Sequence, residues 1–261
     1  MQKRIIGIFD SGFGGLTVMK EVVKALPYED IIYFGDTAHV PYGSKSKESV
    51  KRFSINIAEF LLEHNIGLLI VACNTASSFA LNLLKKRLPV PVIGVVEPGV
   101  KAACNYTVSK HIGIIGTAGT IQSNAYQRGL MKCNKKLKIY SKACPLFVPL
   151  VEEGWTKNKI SIDIAKEYLM PLKRSKIDTL ILGCTHYPLL KKVIKQIMGK
   201  NVVIIDSAQE TSISALDNKE PLKKRKPEYK FFVTDDCKKF KKLGKKILGR
   251  PITKVKKVVL E

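Results

Sequence analysis

No stretch of the 261-residue chain approaches the roughly 20 consecutive apolar residues that a membrane-spanning helix needs. The first apolar run covers only residues 5–9 and then meets Asp10. A secretory signal carries a longer apolar core and a small-residue cleavage site. Residues 5–9 are therefore read as a first strand, and a cytoplasmic protein is expected. The six cysteines include no Cys-x-x-Cys pair, which excludes a zinc ribbon or a thioredoxin-type motif. No metal site is expected. Disulfides are rare in cytosolic chains, so most of these thiols are expected to be ordinary small core or surface residues. Acidic residues are scarce too, 22 against 45 lysines and arginines, giving a formal charge of +23.

That charge invites a nucleic-acid reading. Yet only seven of the 45 basic residues are arginine, the usual choice for bidentate phosphate and base recognition. The run 238–246 alternates lysine pairs with Phe240 and Leu243, the spacing of an amphipathic surface helix. A solvated lysine face is the expectation, and nucleic acid is not an expected partner. Such a field would still steer a small anionic substrate.

At 45% hydrophobic and 26% charged residues, the chain can bury a core large enough for two modest domains. Short apolar runs at 5–9, 31–34, 68–72 and 91–96 alternate with helical patterns at 17–26, 46–64 and 76–88. Near-continuous apolar strands between helices indicate parallel sheets covered on both faces, an α/β fold. The alternation restarts at His111 and runs to Asp206. A last strand, 230–234, precedes the lysine-rich helix.

The restart reads as a repeat. Ile5-Ile6-Gly7-Ile8 resembles His111-Ile112-Gly113-Ile114. Leu69-Ile70-Val71-Ala72-Cys73-Asn74 resembles Leu180-Ile181-Leu182-Gly183-Cys184-Thr185. Each cysteine ends the third strand of its half.

Open α/β sheets bind ligands at the carboxyl ends of their strands. Those ends carry Asp10-Ser11, Asp36, Cys73-Asn74-Thr75, Glu97, Thr117, Cys184-Thr185-His186 and Asp206. A lone cysteine at a strand end is ordinarily an inert buried thiol. Two in equivalent turns favour chemistry. Halves facing each other across a pseudo-twofold axis put the thiols on opposite sides of one cleft. Moving a proton from one face of a tetrahedral carbon to the other requires a base on one side and an acid on the other. Each cysteine precedes a helical pattern, so its thiolate is expected to be favoured by free backbone N–H groups. The Gly-rich segment Asp10-Ser11-Gly12-Phe13-Gly14-Gly15 fits neither G-x-G-x-x-G nor a P-loop. It is expected to offer backbone N–H groups to a carboxylate.

These motifs, with Gly35-Asp36-Thr37, Pro41-Tyr42-Gly43, Pro145-Leu146-Phe147-Val148-Pro149-Leu150-Val151-Glu152 and Gly183-Cys184-Thr185-His186-Tyr187-Pro188, resemble the bacterial glutamate racemases in the same order, from the first strand to about Asp206. The resemblance implies two similar α/β domains related by a pseudo-twofold axis, with the active site between them. One would comprise 1–96 plus 209–261, and the other 97–208. It implies interconversion of L- and D-glutamate without pyridoxal phosphate or any other cofactor, supplying D-glutamate for peptidoglycan. Cys73 and Cys184 would be the two acid/base residues, assisted by Asp10, Glu152 and His186. Asp10, Ser11, Tyr42, Gly43, Asn74, Thr75, Thr185 and His186 would bind substrate, with Asp10 pairing with its ammonium. A homodimer is expected. The rivals are a racemase for aspartate or another amino acid, a thiol-disulfide enzyme and a basic nucleic-acid-binding protein.

Overall fold

The computed structural model describes residues 5–216 and 224–260. The first half runs β1 (Ile5–Asp10), α1 (Leu16–Ala25), β2 (Ile31–Gly35), α2 (Lys47–Glu63), β3 (Ile66–Val71), α3 (Asn74–Phe79), α4 (Leu81–Arg87) and β4 (Val92–Gly94). The second runs α5 (Val96–Tyr106), β5 (His111–Gly116), α6 (Ala118–Gln122), α7 (Ala125–Cys133), β6 (Lys138–Ala143), α8 (Phe147–Glu152), α9 (Lys159–Arg174), β7 (Thr179–Gly183), α10 (Lys191–Met198) and β8 (Val203–Asp206). Then follow α11 (Ser207–Leu216), β9 (Tyr229–Val233), α12 (Cys237–Leu248) and β10 (Lys256–Lys257).

Two parallel sheets result. One has the order β10-β9-β2-β1-β3-β4, the other β6-β5-β7-β8. Apart from β9 and β10, the orders are equivalent strand for strand, and the cysteines follow the matching strands β3 and β7. The central strands are apolar throughout because helices cover both faces. β6 lies at an edge and is only partly buried.

One apolar core runs through both halves. It joins Ile6, Ile8, Leu16 and Tyr33 to Phe147, Leu169, Leu180 and Tyr187. The outer face of each sheet has a core of its own. Several helix starts carry a side-chain cap: Ser46 accepts from Ser49 N at 3.1 Å, and Asn158 Oδ1 accepts from Ser161 N at 2.9 Å. Among the described residues, no helix is long and apolar enough to cross a membrane.

Three expectations need correction. The helix expected over 76–88 is broken into α3 and α4 at Ala80. Ser77 Oγ ties α3 inward, donating to Val71 O at 2.8 Å and accepting from Val95 N at 3.2 Å. The strand expected at 91–96 stops at Gly94, because Val96 already begins α5. Cys104 and Cys133 are not independent thiols: α5 packs on α7 and joins them as a disulfide. The other four cysteines are free.

Candidate active site

The carboxyl ends of β1, β3, β5 and β7 converge on one cleft. Its walls are Ser11, Pro41, Tyr42, Gly43, Cys73, Asn74, Thr75, Thr117, Val148, Cys184, Thr185 and His186. Of the residues given a catalytic or substrate-binding role from the resemblance, nine are therefore brought together: Ser11, Tyr42, Gly43, Cys73, Asn74, Thr75, Cys184, Thr185 and His186. The free volume is about 10 Å³, enough for roughly one water. The two halves meet closely around it.

Each thiol sits in the same local frame. Cys73 stands at the N-cap position of α3, where the backbone N–H groups of Thr75 and Ala76 and the Ser11 hydroxyl favour its thiolate. Cys184 receives the N–H groups of His186 and Tyr187. The following segment, Tyr187–Leu190, is a single 3-10 turn rather than an α-helix.

The expected ease of ionisation is overturned. Burial pushes Cys73 up to about 12, with the Asp10 charge adding to the effect and the hydrogen bonds opposing it. Burial likewise raises Cys184 well above the ordinary thiol range, and its N–H donors do not compensate. Stripping water from a thiolate costs more than two or three N–H groups return. Burial therefore favours the thiol form of both sulfurs.

Asp10 does not reach the wall. It is fully buried behind it, accepting from Gly12 N at 3.0 Å, Thr185 Oγ1 at 3.2 Å and the Gly15 N–H. Two N–H groups of the Gly-rich loop, those of Gly12 and Gly15, therefore hold the protein's own carboxylate. Burial raises the Asp10 carboxyl, while His186 and these hydrogen bonds pull the other way. Glu152 also stands outside the wall. Its Oε1 is 3.6 Å from His186 Nε2, and His186 Nδ1 is 3.8 Å from Cys184 Sγ. The Phe13 ring meets the imidazole edge-on at 4.9 Å and fixes its tilt. Burial pushes the Glu152 carboxyl up, but His186 and Lys239 outweigh it and hold the group below the ordinary carboxylate range.

Two glycines let the walls meet. A Cβ on Gly14 would stand 2.5 Å from Thr185 Oγ1, and one on Gly43 would overlap the Thr117 side chain. Hydroxyls stitch the halves together. Thr75 Oγ1 lies 2.9 Å from Thr117 Oγ1, and Tyr126 OH donates to Asn74 Oδ1 at 2.6 Å. Asp36 lies behind Tyr42 and accepts its hydroxyl at 2.6 Å. Glu97 is exposed on α5, and Asp206 meets Lys191 and Ala208 N, so neither lines the cleft. Sequence reasoning missed Val148 as a wall residue. Its signal was the apolar run before Glu152, which looked like core alone. Thr117 was visible only as a strand end. Among the described residues no three His, Cys, Asp or Glu side chains are grouped to hold a metal ion.

The family model for Asp/Glu/Hydantoin racemase matches residues 6–212. The glutamate racemase of Geobacter metallireducens is 49% identical over 266 residues, covering 100% of this chain and 98% of that one. A glutamate racemase isoform from Bacillus anthracis superposes with a TM-score of 0.94 at 42% identity, covering 99% and 98% of the two chains. The glutamate racemase of Francisella tularensis, solved in complex with D-glutamate, gives 0.93 at 39% identity, covering 100% and 99%.

Proposed function

Because the chain belongs to the Asp/Glu/Hydantoin racemase family, we propose that it interconverts L- and D-glutamate by a two-base reaction, with Cys73 and Cys184 as the two proton carriers. The observation that carries this reading is the pair of thiols, one from each equivalent strand end, opening onto a single cleft. A substrate α-carbon held between them has one sulfur on each face. The thiolate on one side removes the α-proton while the thiol on the other delivers one to the opposite face. Turnover exchanges their protonation states, and the reverse reaction restores them. No organic cofactor enters this scheme.

The raised thiols fit the cycle. Asp10 adds to the upward push on both sulfurs. A substrate ammonium drawn towards Asp10 cancels that negative field and favours a thiolate at the moment it is needed. Ser11, Asn74, Thr75, Thr117 and Thr185 offer neutral hydrogen-bond groups for the two carboxylates. His186 acts beside Cys184, backed by Glu152.

We read 1–96 with 209–261 as one α/β unit and 97–208 as the other, parting to admit substrate and closing to exclude water. The return of β9 and β10 to the first sheet supports those limits. The reading extends to a homodimer in the cytoplasm that supplies D-glutamate for peptidoglycan.

Exchange of the substrate α-proton with solvent deuterium, followed alongside circular dichroism of each enantiomer, tests the proposal. Wild type racemises glutamate and washes deuterium into both enantiomers. Cys73→Ser and Cys184→Ser each lose racemisation by about a thousandfold, within the range for removing a positioned acid or base. Racemisation of aspartate but not glutamate would overturn the substrate, and full activity in either variant would overturn the chemistry.

A further inference from the structure

Lys239 is one of six lysines on α12, and its environment sets it apart. Its Nζ lies 3.3 Å from Glu152 Oε2 and 3.9 Å from Glu153 Oε1, whereas its neighbour Lys242 is exposed. The Lys239 side chain is 42% exposed and the Glu152 side chain 16%. The pair therefore straddles the rim, where a charge contact is less screened than on open surface. The other carboxylate oxygen of Glu152 faces His186 Nε2, a buried atom with no hydrogen-bond partner within the usual reach. One cation thus occupies one oxygen and leaves the second aimed at the imidazole.

The backbone beneath Lys239 is pinned. Asp236 adopts a left-handed conformation at φ 36° and caps α12, its Oδ1 accepting from Lys239 N at 2.8 Å. The next residue, Phe240, is buried against Tyr33 with ring centroids 5.7 Å apart. Tyr33 OH in turn donates to Gly12 O at 2.8 Å, in the loop that holds Asp10. The ammonium therefore has a fixed origin relative to the cleft.

We propose that Lys239 is a positioning residue for proton transfer at Cys184: its ammonium anchors Glu152, and Glu152 orients His186 against the sulfur. With Nε2–H turned towards Glu152 across 3.6 Å, Nδ1 presents its lone pair to the Cys184 thiol. A freed Glu152 rotates towards solvent, and the imidazole loses that alignment. The inference rests on the reading that Cys184 is one of the two proton carriers. The charged groups facing Glu152 are His186 from the turn after β7, Lys239 from α12 and Glu153 just past the end of α8. Lys242, Lys246 and Asp236 line the same opening.

The test compares Lys239→Met, Lys239→Gln, Lys239→Arg and Lys242→Met with wild type, on glutamate in both directions. The readouts are kcat, KM, pH profile, melting temperature and the primary isotope effect with α-deuterated enantiomers. In Lys239→Met and Lys239→Gln, kcat falls about tenfold, the scale of one charge-assisted hydrogen bond, while KM stays within about twofold of wild type. Removing a cation beside a carboxylate raises the pH at which it protonates, so the acid limb moves to higher pH. The isotope effect grows only for the enantiomer that Cys184 deprotonates, identified by α-exchange in Cys73→Ser. Lys239→Arg restores wild-type behaviour, and Lys242→Met leaves it unchanged. Wild-type kcat and isotope effects in both neutral variants would overturn the proposal, as would a lowered melting temperature with no kinetic change. A wild-type chain inactive on glutamate would overturn the reading beneath it instead.

Discussion

The Cys73 and Cys184 turns occupy equivalent strand ends yet differ in what stands two residues on. After Cys73 the position is Thr75, whose hydroxyl reaches across to Thr117 and Thr120 of the other half. After Cys184 it is His186, backed by Glu152 and Lys239. One turn spends its side chain on joining the halves, the other on an ionisable relay. The strand order therefore gives two similarly placed sulfurs, and on the proposed reading the side chains beside them would make their proton chemistry unequal.

The largest test of that inequality is His186→Asn, which keeps a hydrogen-bonding side chain and removes the titratable ring. Racemisation should fall about a hundredfold, at the low end for losing a general acid/base partner. The primary isotope effect should rise for one enantiomer only; an equal rise for both would make the two turns functionally alike. Ser11→Ala is the mirror experiment, since Ser11 serves Cys73. A loss of about fivefold, typical of one neutral hydrogen bond, should bring an isotope effect on the opposite enantiomer. The smallest effect concerns stability. Asp178 stands where the first half has Gly67, and it accepts from Thr107 Oγ1 at 2.7 Å and from the N–H groups of Val108 and Ser109. Although partial burial raises its carboxyl, these bonds hold it at about 2. A depressed carboxylate stabilises the fold above its unfolded value near 3.9, and that support fades as pH falls towards 2. Asp178→Asn should cost about 1 kcal/mol near neutrality, seen as a lower melting temperature, and the gap to wild type should shrink as the medium is acidified. An unchanged gap at pH 3 would assign the effect to hydrogen bonding without charge.

The sheet plan was legible because buried parallel strands leave short apolar runs, and the matched cysteines marked their ends. Most of the cleft wall could be read for the same reason: Ser11, Asn74 and Thr185 each adjoin a strand terminus. Distances between remote segments left no such trace. Lys239 meets Glu152 across 87 positions, and inside a lysine-rich run nothing distinguishes it from Lys242. The thiol behaviour was misread because turn geometry is local, whereas burial depends on how tightly two halves close. The burial of Asp10 left no trace either, because its position at the end of β1 gave no hint that Gly12 and Gly15 would fold back over it.

The shared strand order has a consequence for descent. A chain of half this length, with one four-stranded unit and one sulfur, has only half of a two-sided catalyst. It gains the second half by associating with a copy of itself, and both turns must then be identical. Joining two such units in one polypeptide lifts that constraint, so an imidazole at one turn and a hydroxyl at the other become available to selection independently.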